Sequence, residues 1–130
     1  MAKQTLKQVV ASEYIKCAKD PVYFMRKYCM IQLPVRGKIK FDLYPFQEDS
    51  LLQFKDHDYN IILKSRQLGI STLTAGYSLW SMIFNEDFNC LVIAIKQDTA
   101  KNLVTKVRVM HDFLPSWLRP GVVEDNKLSL

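Results

Sequence analysis

No stretch of the 130 residues approaches the roughly 18 consecutive apolar positions that cross a bilayer, so no transmembrane helix is expected. The N-terminus, Met1-Ala2-Lys3-Gln4-Thr5-Leu6-Lys7, has no apolar block behind its lysines and does not read as a secretory signal. There is no CxxC pair. The three cysteines (Cys17, Cys29, Cys90) are odd in number and far apart, and His57 and His111 stand at no ligand spacing from them, which argues against a zinc site. Free, buried thiols in a reducing compartment are the natural expectation. No internal repeat and no Gly/Ser linker interrupts the chain. With 48% apolar and 24% charged residues, the composition also excludes a disordered tail, a low-complexity segment and a collagen-like fibre. What remains is a globular chain whose length amounts to one domain at most, or part of one.

Charge is spread unevenly. Residues 1–40 carry nine Lys/Arg against two acids, Glu13 and Asp20, whereas residues 41–130 carry nine against eleven. A basic N-terminal third can serve a polyanion, which gains affinity by releasing counterions, or it can be a solvated face.

Hydrophobic spacing gives the organisation. Leu6, Val9, Val10, Tyr14, Cys17 and Ala18 predict a helix over 6–19. Asp20-Pro21 reads as an N-cap followed by proline at the first helical position, opening a short helix to about residue 29 that buries Tyr23, Phe24 and Tyr28. Residues 31–43 look extended, punctuated by Pro34 and Gly37. Pro45 opens a third helix over about 46–56, with Phe46, Leu51, Leu52 and Phe54 on its buried face. Asn60 to Lys64 is predicted as a short buried strand, Ser65 to Gly69 as a loop, and Ile70 to Phe84 as a helix. Cys90 to Ile95 is nearly all apolar and suits a strand buried on both faces of a parallel sheet. A last helix over about 99–113, capped by Asp98 or Thr99, turns Ala100, Leu103, Val104, Val107 and Met110 inward. Pro115 and Pro120 bracket a turn, and residues 122–124 and 127–130 can pair as a hairpin across Asp125-Asn126. Strands alternating with helices imply an α/β layer with a parallel sheet, incomplete because two strong strands are too few for a three-layer sandwich.

The most informative stretch is 60–72. A strand, a short glycine-bearing loop and a helix opening with hydroxyl side chains is the geometry of a P-loop. Helix N-terminal N–H groups point into such a loop, the helix dipole adds partial positive charge, and a Ser or Thr hydroxyl ligates the magnesium that bridges the phosphates. In the usual pattern, GxxxxGK[ST], aligning Gly69 with the second glycine puts Lys64 at the first position, Ile70 at the lysine position and Ser71 at the hydroxyl position. The lysine is therefore missing from its place. The chemistry requires a cation near the phosphates, and Lys64, at the end of the strand feeding the loop, can reach them from the other side. Arg66 offers a second cation with a fork suited to phosphate oxygens. The competing reading is an ordinary βα turn with both cations solvated, or with Arg66 in a structural ion pair.

The string Lys64-Ser65-Arg66-Gln67-Leu68-Gly69-Ile70-Ser71-Thr72 resembles the deviant Walker A loop of tailed-bacteriophage terminase large subunits, the ATPases that package DNA. Upstream, Asp20-Pro21-Val22-Tyr23-Phe24 and Phe41-Asp42-Leu43-Tyr44-Pro45-Phe46-Gln47 resemble the family's N-terminal helix and adenine-recognition segment; the likeness spans about residues 15–130. It implies a P-loop NTPase sheet of the ASCE/RecA-like kind with helices on both faces, preceded by a helical segment. Residues 1–43 would be that basic N-terminal segment, and 44–130 the first half of the ATPase domain. It implies ATP and Mg as cofactors. Lys64 would hold the β/γ-phosphates, Ser71 would ligate magnesium, Thr72 would bind the α-phosphate side, and Arg66 would sense the γ-phosphate. Gln47 would hydrogen-bond the adenine edge with Tyr44 or Phe46 packed nearby; read without the loop, Gln47 is a solvent-facing helix residue. Double-stranded DNA, a portal protein and a small terminase subunit are the implied partners, with a ring homo-oligomer acting in the host cytoplasm at the procapsid portal.

Hydrolysis also needs acids: one for magnesium and one to orient water. Asp98 stands alone after the apolar run and is better explained as a helix cap, and Glu124-Asp125 follows only two valines. No Walker B pair is evident, and the nuclease acids are missing too, so this chain is expected to bind ATP without turning it over. Two other readings remain: a helicase-like motor fragment, against which Ile70 argues, and a non-catalytic interaction module bound by a portal, a small terminase subunit or a host sensor.

Overall fold

A computed structural model of the chain describes residues 5–33 and 35–121. In chain order the elements are α1 (Leu6–Lys19), α2 (Pro21–Tyr28), β1 (Met30–Leu33), β2 (Gly37–Lys40), α3 (Pro45–Asp56), α4 (Ile70–Phe84) and α5 (Gln97–Asp112). The helix starts follow local chemistry. The Thr5 N–H donates to Gln8 Oε1 at 2.9 Å, closing the head of α1. Asp20 Oδ1 accepts from the Val22 N–H at 2.9 Å with Pro21 at the first helical position, so α1 ends and α2 begins on one residue.

Helix α4 is the centre of the core. Its Leu73, Ala75, Leu79 and Trp80 are buried together with Phe24 and Met25 of α2, Leu51 of α3, and Val107 and Met110 of α5. At Gly76 the side chain of Met25 from α2 lies against the α4 backbone: a Cβ there would sit 2.9 Å from Met25 Cε. The indole of Trp80 donates to the Cys17 carbonyl at 2.8 Å, tying α4 to the end of α1. Helix α1 is also held through Glu13, whose Oε2 accepts from Tyr28 Oη (2.5 Å), Tyr23 Oη (2.7 Å) and Lys27 Nζ (3.0 Å). These donors favour the ionised carboxylate and lower its pKa from 4.5 to about 2. Strands β1 and β2 form an antiparallel hairpin, with Ile31 opposite Ile39 and Leu33 opposite Gly37, and β1 packs on α5.

The expected α/β architecture is overturned. Among the described residues the sheet is the two-stranded antiparallel hairpin, and there is no parallel multi-strand sheet of the P-loop NTPase (ASCE/RecA-like) type. Residues 60–64 and 90–95, expected as buried parallel strands, are in no strand. No backbone–backbone hydrogen bond involves residues 58–68 or 86–95 among those described. Their apolar side chains alternate. Ile61, Leu63 and Ile95 are fully exposed and Leu91 (83%) and Ile93 (85%) largely so, while Ile62 and Val92 between them are partly covered. The reason is physical: a strand exists only when a neighbour supplies its donors and acceptors. An apolar run records fitness for burial, not the presence of that neighbour.

Smaller differences follow the same logic. The buried face of α3 holds Leu51 and Gln47, while Phe46 and Leu52 are exposed. Most of the apolar stripe of α1 faces outward, with Leu6 at 80% exposure, and Cys17 is its one buried residue. Cys17 and Cys29 are buried free thiols, as expected, and burial raises the pKa of Cys17 to about 11; Cys90 is exposed. Helix α5 starts two residues early, with Lys96 at the N-cap and Asp98 in its first turn. The hairpin expected at 122–130, with Glu124-Asp125, and the punctuating Pro34 lie outside the described residues. No described helix is long and apolar enough to cross a membrane.

Candidate functional site

The loop expected to bind phosphate leads directly into α4. Gly69 stands at the N-cap in the left-handed region (φ 71°, ψ 14°), and Gln67 is also left-handed at φ 61°. The first intrahelical bond runs from the Leu73 N–H to the Gly69 carbonyl at 2.9 Å. No side chain caps the helix. The amides of Ile70, Ser71 and Thr72 therefore have no partner within the helix, and the aligned peptide dipoles place about half a positive charge there.

Gln47 holds this turn in shape. Its side chain is buried at 2% exposure. Oε1 accepts from the Tyr44 N–H at 2.9 Å at the head of α3, and Nε2 donates to the Leu68 carbonyl at 3.0 Å. Gly69 lies so close that a Cβ would come within 2.6 Å of Gln47 Nε2. Glycine is thus required twice, by its left-handed backbone and by the carboxamide against it. Both ends of the Gln47 amide are engaged inside the protein, which leaves one Nε2 hydrogen and one Oε1 lone pair.

In front of the turn is a concave space of about 300 Å³, walled by Lys64, by residues 67–72 and by Lys106 of α5. Of the residues expected to hold phosphate, Lys64, Gln67, Leu68, Gly69, Ile70, Ser71 and Thr72 share this wall; Ser65 and Arg66 are exposed and lie outside it. Lys64 Nζ donates to the Ser65 carbonyl at 3.4 Å, so its ammonium stays beside the loop. Ile70 occupies the position where a lysine was missing, and its side chain belongs to the core. Of the expected adenine residues, Gln47 is packed against the turn at Leu68 and Gly69, and Tyr44 and Phe46 lie apart. Tyr44 and Phe46 stack with ring centroids 5.8 Å apart and planes 9° from parallel, both exposed and neither on this wall.

Lys106 is the residue that sequence reasoning missed. Its Nζ donates to Thr72 Oγ1 at 3.4 Å across 34 positions of chain. No local spacing pairs these residues; the packing of α5 on α4 does. The site is thus a hollow at the head of α4 walled in part by two lysines, Lys64 and Lys106, with no carboxylate on its wall among the described residues. Its donor set matches an anion with several oxygens. Among the described residues no cluster of three or more His, Cys, Asp or Glu could hold a metal ion by itself. A magnesium ion here would rest mainly on ligand oxygens, with the exposed Ser71 hydroxyl as a protein contribution. No family model matches the chain.

Proposed function

We propose that the hollow at the head of α4 binds the polyphosphate of a nucleoside triphosphate, ATP in the family the loop resembles. On this reading the chain is the ATP-binding portion of a terminase large subunit, the motor that packages double-stranded DNA into capsids. The observation that carries the reading is that Lys64, Lys106 and the first residues of α4, whose amides have no partner within the helix, line one space of about 300 Å³. The two ammonium groups would neutralise the phosphates from opposite sides, the amides would take the equatorial oxygens, and Ser71 would reach the magnesium that accompanies them. Partners and place follow from the same reading: duplex DNA, portal and small terminase subunit, in the host cytoplasm at the procapsid. Because no carboxylate among the described residues lines the hollow, the chain by itself is expected to bind ATP without hydrolysing it.

The test is calorimetric titration of Mg-ATP onto the full chain and onto Lys64→Ala, with circular dichroism to check the fold. A charge-assisted hydrogen bond contributes about 1.5–3 kcal/mol, so the variant should bind at least about tenfold more weakly. Equal binding by both proteins would remove the loop from consideration, and ATP turnover abolished by the same substitution would contradict the inactive reading. A second reading, a non-catalytic interaction module, is favoured by the uncovered apolar rows Ile61/Leu63 and Leu91/Ile93/Ile95. An intact fold with no nucleotide affinity would select it.

A further inference from the structure

A second and larger cavity, about 470 Å³, opens between β1 and α5. Met30, Gln32, Asn102 and Val109 are among its walls, and it shares Thr72 and Lys106 with the loop hollow. The two spaces are therefore neighbours, joined where Lys106 Nζ reaches Thr72 Oγ1. Their chemistry differs in a telling way. The hollow is walled by two lysines and the residues at the head of α4. The larger cavity combines apolar surfaces from Met30, Val109 and the buried Met110 with two carboxamides, Gln32 and Asn102. Each carboxamide presents a donor beside an acceptor, which fits the edge of a nucleobase. Methionine and valine offer soft apolar contact to its faces. The volume lies within the range of small-ligand pockets. A nucleotide has this same two-part character, a polyanionic chain joined to a flat, apolar-faced and polar-edged base.

We infer that the cavity between β1 and α5 receives the base and sugar of the nucleotide whose phosphates occupy the loop hollow, with Lys106 at the junction beside the phosphate nearest the sugar. This rests on the phosphate reading of the loop. It places the base away from the Tyr44–Phe46 ring pair, which lines neither space. The Gln47 amide, already holding Tyr44 and Leu68, acts by positioning the loop.

The experiment titrates the full chain with two probes, ATP and inorganic tripolyphosphate. The proteins are the wild type, Val109→Trp to fill the cavity, Asn102→Ala to remove one carboxamide, Tyr44→Ala and Lys64→Ala. The cavity variants are expected to weaken ATP about tenfold while leaving tripolyphosphate unchanged. Tyr44→Ala should leave both unchanged, and Lys64→Ala should weaken both. Asn102 is exposed on α5, so its variant keeps the test valid if the larger tryptophan unfolds the protein. If ATP binding survives both cavity substitutions, or is lost with Tyr44→Ala while tripolyphosphate still binds, the base site is wrong and the phosphate site stands. If tripolyphosphate does not bind, or binds regardless of Lys64, the phosphate site is wrong and the base site falls with it.

Discussion

Replacing Gly69 with alanine tests whether the loop is held by backbone conformation, by Gln47, or by both. An L side chain in the left-handed region costs about 1–2 kcal/mol, and Gly69 has φ 71°. The new methyl would also stand 2.6 Å from Gln47 Nε2. That carboxamide is buried and bonded at both ends, to the Leu68 carbonyl at 3.0 Å and the Tyr44 N–H at 2.9 Å. It cannot yield without breaking a buried hydrogen bond, a loss of about 1–3 kcal/mol. The expected destabilisation is therefore about 2–5 kcal/mol. Urea denaturation followed by the fluorescence of Trp80, buried in the core, measures it. In a Gln47→Ala background the obstruction is gone, and the same substitution should cost only the backbone share of about 1–2 kcal/mol. The two substitutions should thus be coupled by about 1–3 kcal/mol. Costs that add to within about 0.5 kcal/mol would refute the contact, and a Gly69→Ala cost well below about 1 kcal/mol would refute the left-handed turn.

Three further outcomes follow from the packing. Trp80→Phe removes the indole donor to the Cys17 carbonyl and should lower stability by about 1–3 kcal/mol, read as a lower urea midpoint; an unchanged midpoint would mean that α4 is not tied to α1 there. Glu13 has its pKa lowered from 4.5 to about 2 by Tyr28, Tyr23 and Lys27, so its contribution is complete above pH 4.5 and is lost as pH falls towards 2. Glu13→Gln should flatten stability against pH across that window, and a wild-type slope retained by the variant would assign the acid sensitivity elsewhere. Ile95→Thr should change stability by less than about 0.5 kcal/mol, because the side chain is fully exposed, and should raise the solubility limit; a loss of several kcal/mol, as from a buried sheet strand, would overturn the fold described above.

Helices were the legible part of the chain. The Asp20-Pro21 cap, the Pro45 start and the run from Ile70 to Phe84 are local events, decided within a few residues by capping and by 3.6-residue spacing, and α2, α3 and α4 begin where those signals put them. The loop was legible for the same reason, since a glycine before a hydroxyl-rich helix start is a short-range pattern. The strands were not. Residues 60–64 and 90–95 have the composition of sheet interior, but pairing depends on another segment lying alongside, and composition at one position carries nothing about occupancy next to it. The sequence by itself determined which segments coil, where they stop, and that a cation and a glycine flank the turn before Ser71. Only the tertiary structure decided that Gln47 faces inward to brace Leu68, that Lys106 arrives beside Thr72, and that these two residues also line a second cavity against β1. Each of these depends on segments from distant points of the chain meeting, and the packing that brings them together is a property of the whole core rather than of any local spacing.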